Sequence, residues 1–139
     1  MAPTLTDSRT EQSGTFRQVL RVGAHTFHAD APTAIGGQDS APGPHELFDA
    51  SLAACKALTA TWYAKKHGIA LERVETQVER DASRERQGTY ALRVTLTFHG
   101  ALSDADKQRL HDAVANCPIH KLMTSTTVEI TTAPLAPGA

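Results

Sequence analysis

The sequence predicts an α+β fold, an antiparallel sheet backed by helices. Two periodicities predict it. Apolar and polar residues alternate in TFRQVLRV, LERVETQVERD and TYALRVTLTFHG, as in half-buried strands, whereas ELFDASLAACKALTATWYAKKHG repeats at three- and four-residue steps. A polar-capped helical pattern then follows the strands, and packing helices on one antiparallel sheet is the layer arrangement that this inventory calls for.

Taken in order, residues 1–12 are polar and unpatterned, and residues 133–139 are rich in Pro, Ala and Gly, so both read as frayed tails around a single domain over 13–132. TFRQVLRV and HTFHA flank Gly23 and suggest a hairpin with Arg17 and Arg21 on its polar face. The segment DAPTAIGGQDSAPGP, residues 30–44, carries adjacent glycines and several prolines and forms a long shaped connection of the kind that often serves a site. Pro44 can start the long helix and Gly68 can end it, with Lys65, Lys66 and His67 in the favourable last turn. Leu47, Ser51, Cys55, Leu58 and Trp62 mark its apolar stripe.

Two antiparallel strands follow, LERVETQVERD and TYALRVTLTFHG, joined through SRERQG and polar on one face through Glu75, Glu79 and Arg93. Ser103 caps a helix over SDADKQRLHDAVANC, in which Leu110, Val114 and Cys117 form the inner side. The Cys-Pro break opens a short helix, PIHKLMT, and TTVEITT reads as a last strand. The long helix is apolar on more sides than a small sheet can cover, which predicts self-association.

Charge and length exclude several function classes. The 139 residues carry a formal charge of −1, from 14 Lys and Arg against 15 Asp and Glu, so no general field draws nucleic acid. The N-terminus lacks an export signal and no run reaches the roughly 18 apolar residues that span a bilayer, so a cytoplasmic protein without membrane partners is expected. In that reducing compartment Cys55 and Cys117, if they communicate, do so in a reaction cycle rather than as a permanent bridge.

The two cysteines stand in different settings. Cys55, amid alanines in LAACKALT, is most simply a small buried hydrophobe. Cys117 in NCPIHKLM directly precedes a proline at a first helical position, where a sulfur can face the unpaired N–H groups of the turn, which stabilise a thiolate. Cys117 and His120 have zinc-ligand spacing, but no second close-spaced pair accompanies them, so no metal is expected. A G-x-S-x-G elbow is absent, and the Gly-Gly of AIGGQDS reads as a turn rather than a phosphate loop. Spacing alone neither joins the two cysteines nor separates them.

Taken together, ADAPTAIGGQDSAPGPHELF, DASLAACKALTATWYAKKHGIALERVE, GALSDADKQRL and ANCPIHKLM resemble, in this order and over roughly residues 28 to 131, the OsmC/Ohr family of osmotically inducible and organic-hydroperoxide-resistance proteins. The resemblance implies a two-layer OsmC-like fold with a long central helix, in an intertwined homodimer with its sites at the interface. It implies a thiol peroxidase without metal, flavin or other cofactor. Cys55 would be the peroxidatic cysteine and Cys117 the resolving one, with a dithiol reductant of the lipoylated-protein type restoring both.

In the family's peroxidase branches a glutamate holds an arginine against the thiolate. Laid on that motif, PHELF puts His45 in the glutamate's place and Glu46 one residue on, about 100° around a helix. Glu46 is therefore either a catalytic group or a first-turn cap, and Arg21, ahead of Arg17, is the candidate arginine. An apolar interface site would be lined by Phe48, Leu52 and Trp62 with His45 nearby, although the first three would serve equally as dimer core. The alternative is a non-catalytic binding or stress-associated dimer of the same fold.

Overall fold

The computed structural model describes residues 4–138; residues 1–3 and 139, at the far ends of the two expected tails, lie outside the described residues. The chain divides into two compact units between Ala50 and Ser51.

In the first unit β1 (Thr6–Thr10), β2 (Gln18–Val22) and β3 (His25–Ala29) form an antiparallel sheet in the order β1-β2-β3. The expected hairpin is β2-β3. Val22 pairs with His25, and Gly23 takes a positive φ of 58°, as a first-position glycine does in a two-residue turn matched to strand twist. β1 lies inside the segment whose polarity reads as a tail. It is exposed throughout, and polar cross-strand bonds accompany its pairing: Ser8 Oγ donates to Gln18 Oε1 at 3.0 Å, and Gln18 Nε2 donates to Thr10 Oγ1 at 3.2 Å. Asp7 stands opposite Arg21 in the register.

The connection after β3 is folded around one carboxylate. Asp30 Oδ1 accepts from the Ala31 N–H at 2.7 Å, while Oδ2 accepts from Ser40 Oγ at 2.6 Å, the Ser40 N–H at 3.1 Å and the Gln38 N–H at 3.3 Å. Gly37 passes so close to Ala31 that a Cβ on it would lie 2.0 Å from the Ala31 carbonyl oxygen. The bonds from Ser40, then Ala31 and Gln38, pull the Asp30 pKa down to about 2 from an ordinary 3.8. A carboxylate with a depressed folded pKa leaves the unfolded chain binding more protons, so its contribution is complete above pH 3.8 and is lost as the pH falls through about 2. Asp30→Asn is expected to lower the melting temperature at pH 7 and to flatten the acid limb between those two values. Melting curves from pH 2 to pH 7 check it, and an unchanged acid limb would refute the role.

α1 (Pro44–His67) begins with Pro44 and ends before Gly68, as its sequence predicts. Glu46 Oε1 reaches back to accept from the Gly43 N–H at 3.0 Å, half of a capping box. At the other end Gly68 has φ 65° and the Ile69 N–H returns to the Ala64 carbonyl at 2.9 Å, which closes the helix in a Schellman turn.

In the second unit β4 (Leu71–Asp81) and β5 (Ala91–Gly100) form a two-stranded antiparallel ribbon in which Val74 faces Phe98, Thr76 faces Leu96 and Val78 faces Val94. One face carries these residues and the other is exposed through Glu75, Glu79, Arg93 and Thr95. The single expected sheet is thus two small ones. α2 (Asp104–Ala113) starts on Ser103, whose hydroxyl accepts from the Asp106 N–H at 3.0 Å. The core joins Ala60 and Ala64 of α1 to Leu110 and Val114 at the end of α2 and to Phe98 of β5. Four-residue spacing puts each pair on one stripe, and the alanines let the helices approach closely.

Two elements differ from the sequence reading. α2 stops at Ala113 rather than near Cys117, because Cys117 precedes a proline and is held extended (φ −62°, ψ 158°), outside the helical region. It becomes the N-cap of α3 (Pro118–Ser125). TTVEITT, residues 126–132, is not a strand, and Val128 and Ile130 are exposed. An alternating run becomes a strand only when a neighbour takes its N–H and C=O groups, and among the described residues none pairs with it. No helix among the described residues is long and apolar enough to cross a membrane.

Candidate functional site

α1 presents two stripes within the second unit. Leu52, Lys56, Ala60 and Ala64 recur every fourth residue and are buried. The neighbouring stripe, Ser51, Cys55, Leu58 and Trp62, borders an open groove of about 610 Å³ whose far wall is Pro118 and Ile119 of α3. Its lining is almost wholly apolar, and Leu58 and Trp62 are 70% and 59% exposed. Of the residues that mark the apolar stripe in the sequence, all but Leu47 therefore face a groove, and the buried stripe is the one that contains a lysine.

Cys55 is half-buried at the groove wall, its sulfur 4.0 Å from Thr59 Oγ1. Cys117, only 1% exposed, lies behind it, and both are free thiols with their side chains in hydrogen-bonding contact. The fold thus brings together two sulfurs from distant parts of the chain, one open to a ligand and one closed off.

Burial pushes the Cys117 thiol above its ordinary 9.0, against the His120 backbone N–H at the head of α3, which favours the thiolate. The Cys55 thiol adds to the rise and the Lys56 charge opposes it. The helix N-terminus that the Cys-Pro sequence advertises is present, but desolvation outweighs it. Cys117 is hence a protonated thiol at neutral pH, suited to wait for a partner rather than to attack first. Since the folded state holds this proton more tightly than the unfolded chain does, the associated stability is complete below pH 9.0 and is lost as the pH rises through the folded value. Alkylation of native protein by iodoacetamide, read by peptide mass, is expected to label Cys117 with a midpoint above 9.0, and a midpoint below it would contradict this assignment.

Lys56 is the residue that sequence reasoning passes over. Its Nζ, on a side chain in a residue only 4% exposed, donates to the Val114 carbonyl at 2.6 Å and the Ala115 carbonyl at 3.2 Å, and meets His120 Nδ1 at 3.0 Å. An ammonium has only protons to give, so Nδ1 accepts and the imidazole proton sits on Nε2. The signal was available: a lone lysine four residues from both Leu52 and Ala60 shares their stripe, and a buried lysine needs partners.

The other expected site residues are placed as follows. Trp62 borders the groove, whereas Leu52 is on the buried stripe and is not part of the groove lining. His45 and Phe48 are exposed in the first two turns of α1, and Glu46 caps that helix. Arg21 is exposed on β2, and Arg17 is engaged by Glu11 and by Ser40 Oγ at 2.8 Å. Among the described residues no group of three His, Cys, Asp or Glu gathers as metal ligands would.

Against known proteins, the family model described as "OsmC-like protein" matches residues 37–133. Solved structures with the same fold include an OsmC-like protein from Mycoplasma pneumoniae (18% identity, 89% of each chain covered, TM-score 0.70). An organic hydroperoxide resistance protein OsmC from Legionella pneumophila matches at 22% identity over 90% of this chain and 91% of that one, with a TM-score of 0.62. The organic hydroperoxide resistance protein OhrB of Bacillus subtilis matches at 24% identity over 89% and 92%, with a TM-score of 0.58. No curated protein matches the chain.

Proposed function

The chain belongs to the OsmC-like protein family, and we propose that it is a thiol peroxidase that reduces organic hydroperoxides through Cys55 and Cys117. The observation that carries this reading is the pair itself: a half-exposed sulfur on an apolar groove in contact with a buried, protonated one. The names of the Legionella and Bacillus structures, organic hydroperoxide resistance proteins, support the substrate class.

In this reading the Cys55 thiolate attacks the distal oxygen of the hydroperoxide. The O–O bond breaks, the alcohol leaves with a proton, and Cys55 becomes a sulfenic acid. Cys117 then condenses with it, forming the disulfide and releasing water. A dithiol, of the kind a lipoylated protein supplies, exchanges with the disulfide and returns both thiols. The groove suits an apolar peroxide substituent, with Trp62 and Leu58 along its wall.

The same exposed stripe and the run around Val128 and Ile130, which no strand pairs with among the described residues, suit association with a second copy, as an intertwined homodimer built on α1. The non-catalytic dimer is the second reading, favoured by one observation: the Glu46 carboxylate is engaged in capping Gly43.

Titration of free thiols separates the two readings. One equivalent of cumene hydroperoxide, added to reduced protein, is expected to consume both thiols, and dihydrolipoamide is expected to restore them. If cumene, fatty-acid and hydrogen peroxides all leave both thiols intact, the enzyme reading fails.

A further inference from the structure

The three acceptors of Lys56 have a pattern of their own. Val114 and Ala115 precede Cys117 in the chain and His120 follows it, so one ammonium holds the bend that carries the buried sulfur from both sides. Lys56 is also the residue next to Cys55. The backbone that positions one sulfur therefore carries the anchor of the other.

We propose that Lys56 is a positioning residue for Cys117: it clamps the bend between α2 and α3, holds the Cys117 sulfur against Cys55, and through its charge favours the thiolate that resolves the sulfenic acid. The role in resolution rests on the peroxidase reading; the clamp and its effect on the Cys117 proton do not. In the resolving step Cys117 gives up its proton and its sulfur attacks the Cys55 sulfur. The S–S bond forms as the S–O bond breaks, and the departing hydroxide takes a proton to leave as water, with no outside oxidant or reductant. The difficulty lies in making a thiolate in a desolvated place. A fixed positive charge opposes that cost, and a charge confined by three acceptors cannot swing away to solvent.

The titratable groups that act on Cys117 are Cys55 and Lys56 from α1, with the His120 side chain on α3 bonded to Lys56. Lys56→Met keeps the aliphatic stem and removes the charge, Lys56→Gln keeps a donor without charge, and Lys56→Arg keeps the charge. A merely structural role would slow the disulfide step equally at every pH. The electrostatic role moves the pH midpoint as well.

Two readouts test the proposal. The first is the pH midpoint of Cys117 alkylation, measured in a Cys55→Ser background so that it needs no peroxidase activity. It is expected to rise by about one unit in Lys56→Met and Lys56→Gln, an approximately tenfold loss of thiolate at fixed pH, and to return toward the parent in Lys56→Arg. The second is the lifetime of the Cys55 sulfenic acid in the Cys55-containing proteins after cumene hydroperoxide, expected to lengthen about tenfold in Lys56→Met with the same pH shift. An unshifted midpoint in both neutral variants overturns the proposal, and so does a slower resolution without a pH shift. Should Lys56→Met fail to fold by circular dichroism, Lys56→Gln decides. If the parent forms neither sulfenic acid nor disulfide, the peroxidase reading fails, while the alkylation midpoint still tests the clamp.

Discussion

Cys55→Ser is expected to abolish hydroperoxide reduction, with a fall on the order of 10³-fold or more in peroxide consumption, because a serine hydroxyl is far from ionised at neutral pH and is a much weaker nucleophile than a thiolate. The fold should be indifferent to the change. Cys55 is half-buried, its sulfur lies 4.0 Å from the Thr59 hydroxyl, and an oxygen in place of sulfur leaves the core residues untouched. The check is peroxide consumption with dihydrolipoamide as reductant, alongside a melting curve. Activity at or near the wild-type level in Cys55→Ser would remove this residue from the chemistry, and an equally inactive but unfolded protein would make it structural.

Leu110→Ala is expected to be the most destabilising simple truncation. Leu110 has 0% exposure and packs with Val114, Ala60, Ala64 and Phe98 where α2 meets α1 and β5. The alanines opposite it are already the smallest side chains that still pack, so the vacated volume cannot be refilled by a neighbour's rotamer change. A buried Leu→Ala change of this kind costs about 3 kcal/mol, which lowers the melting temperature by roughly 10 °C. Calorimetry on wild type and variant measures it; a loss of less than about 1 kcal/mol would place Leu110 outside the core. Because Val114 also carries the carbonyl that Lys56 grips, the same variant is expected to loosen the bend at Cys117 and raise the exposure of that thiol.

How much of this was legible in the sequence follows from which interactions are periodic. α1, β4 and the start of α2 were readable because their signals are local: Pro44 and Gly68 bracket one helix, Ser103 caps another, and Leu71 to Asp81 alternates throughout. β1 was not readable, since Ser8, Gln18 and Thr10 pair by polar bonds and bury nothing for a hydropathy pattern to register. The run at 126–132 misleads in the opposite direction, with a strand's alternation and no strand to pair with among the described residues.

At the site, residue types were legible and their balance was not. The Cys-Pro sequence correctly places a sulfur at a helix start, but the acidifying N–H is visible in the sequence while the desolvation that outweighs it is a tertiary property. The α1 stripes show the same limit. With apolar residues on several sides of the helix, spacing could not decide which side faces the core, and the side chosen from sequence, through Cys55, Leu58 and Trp62, borders the groove. Lys56 was hidden by its charge. A lysine among alanines reads as solvated until its partners, more than 50 residues away in the chain, are seen.

The most direct test of the central claim is intact mass on wild type and on Cys117→Ser before and after one equivalent of cumene hydroperoxide. Wild type is predicted to lose about 2 Da as the disulfide forms, and the variant to gain about 16 Da, located on Cys55 by peptide mapping. A gain of about 16 Da on Cys117 in wild type, or no mass change in either protein, would contradict the account.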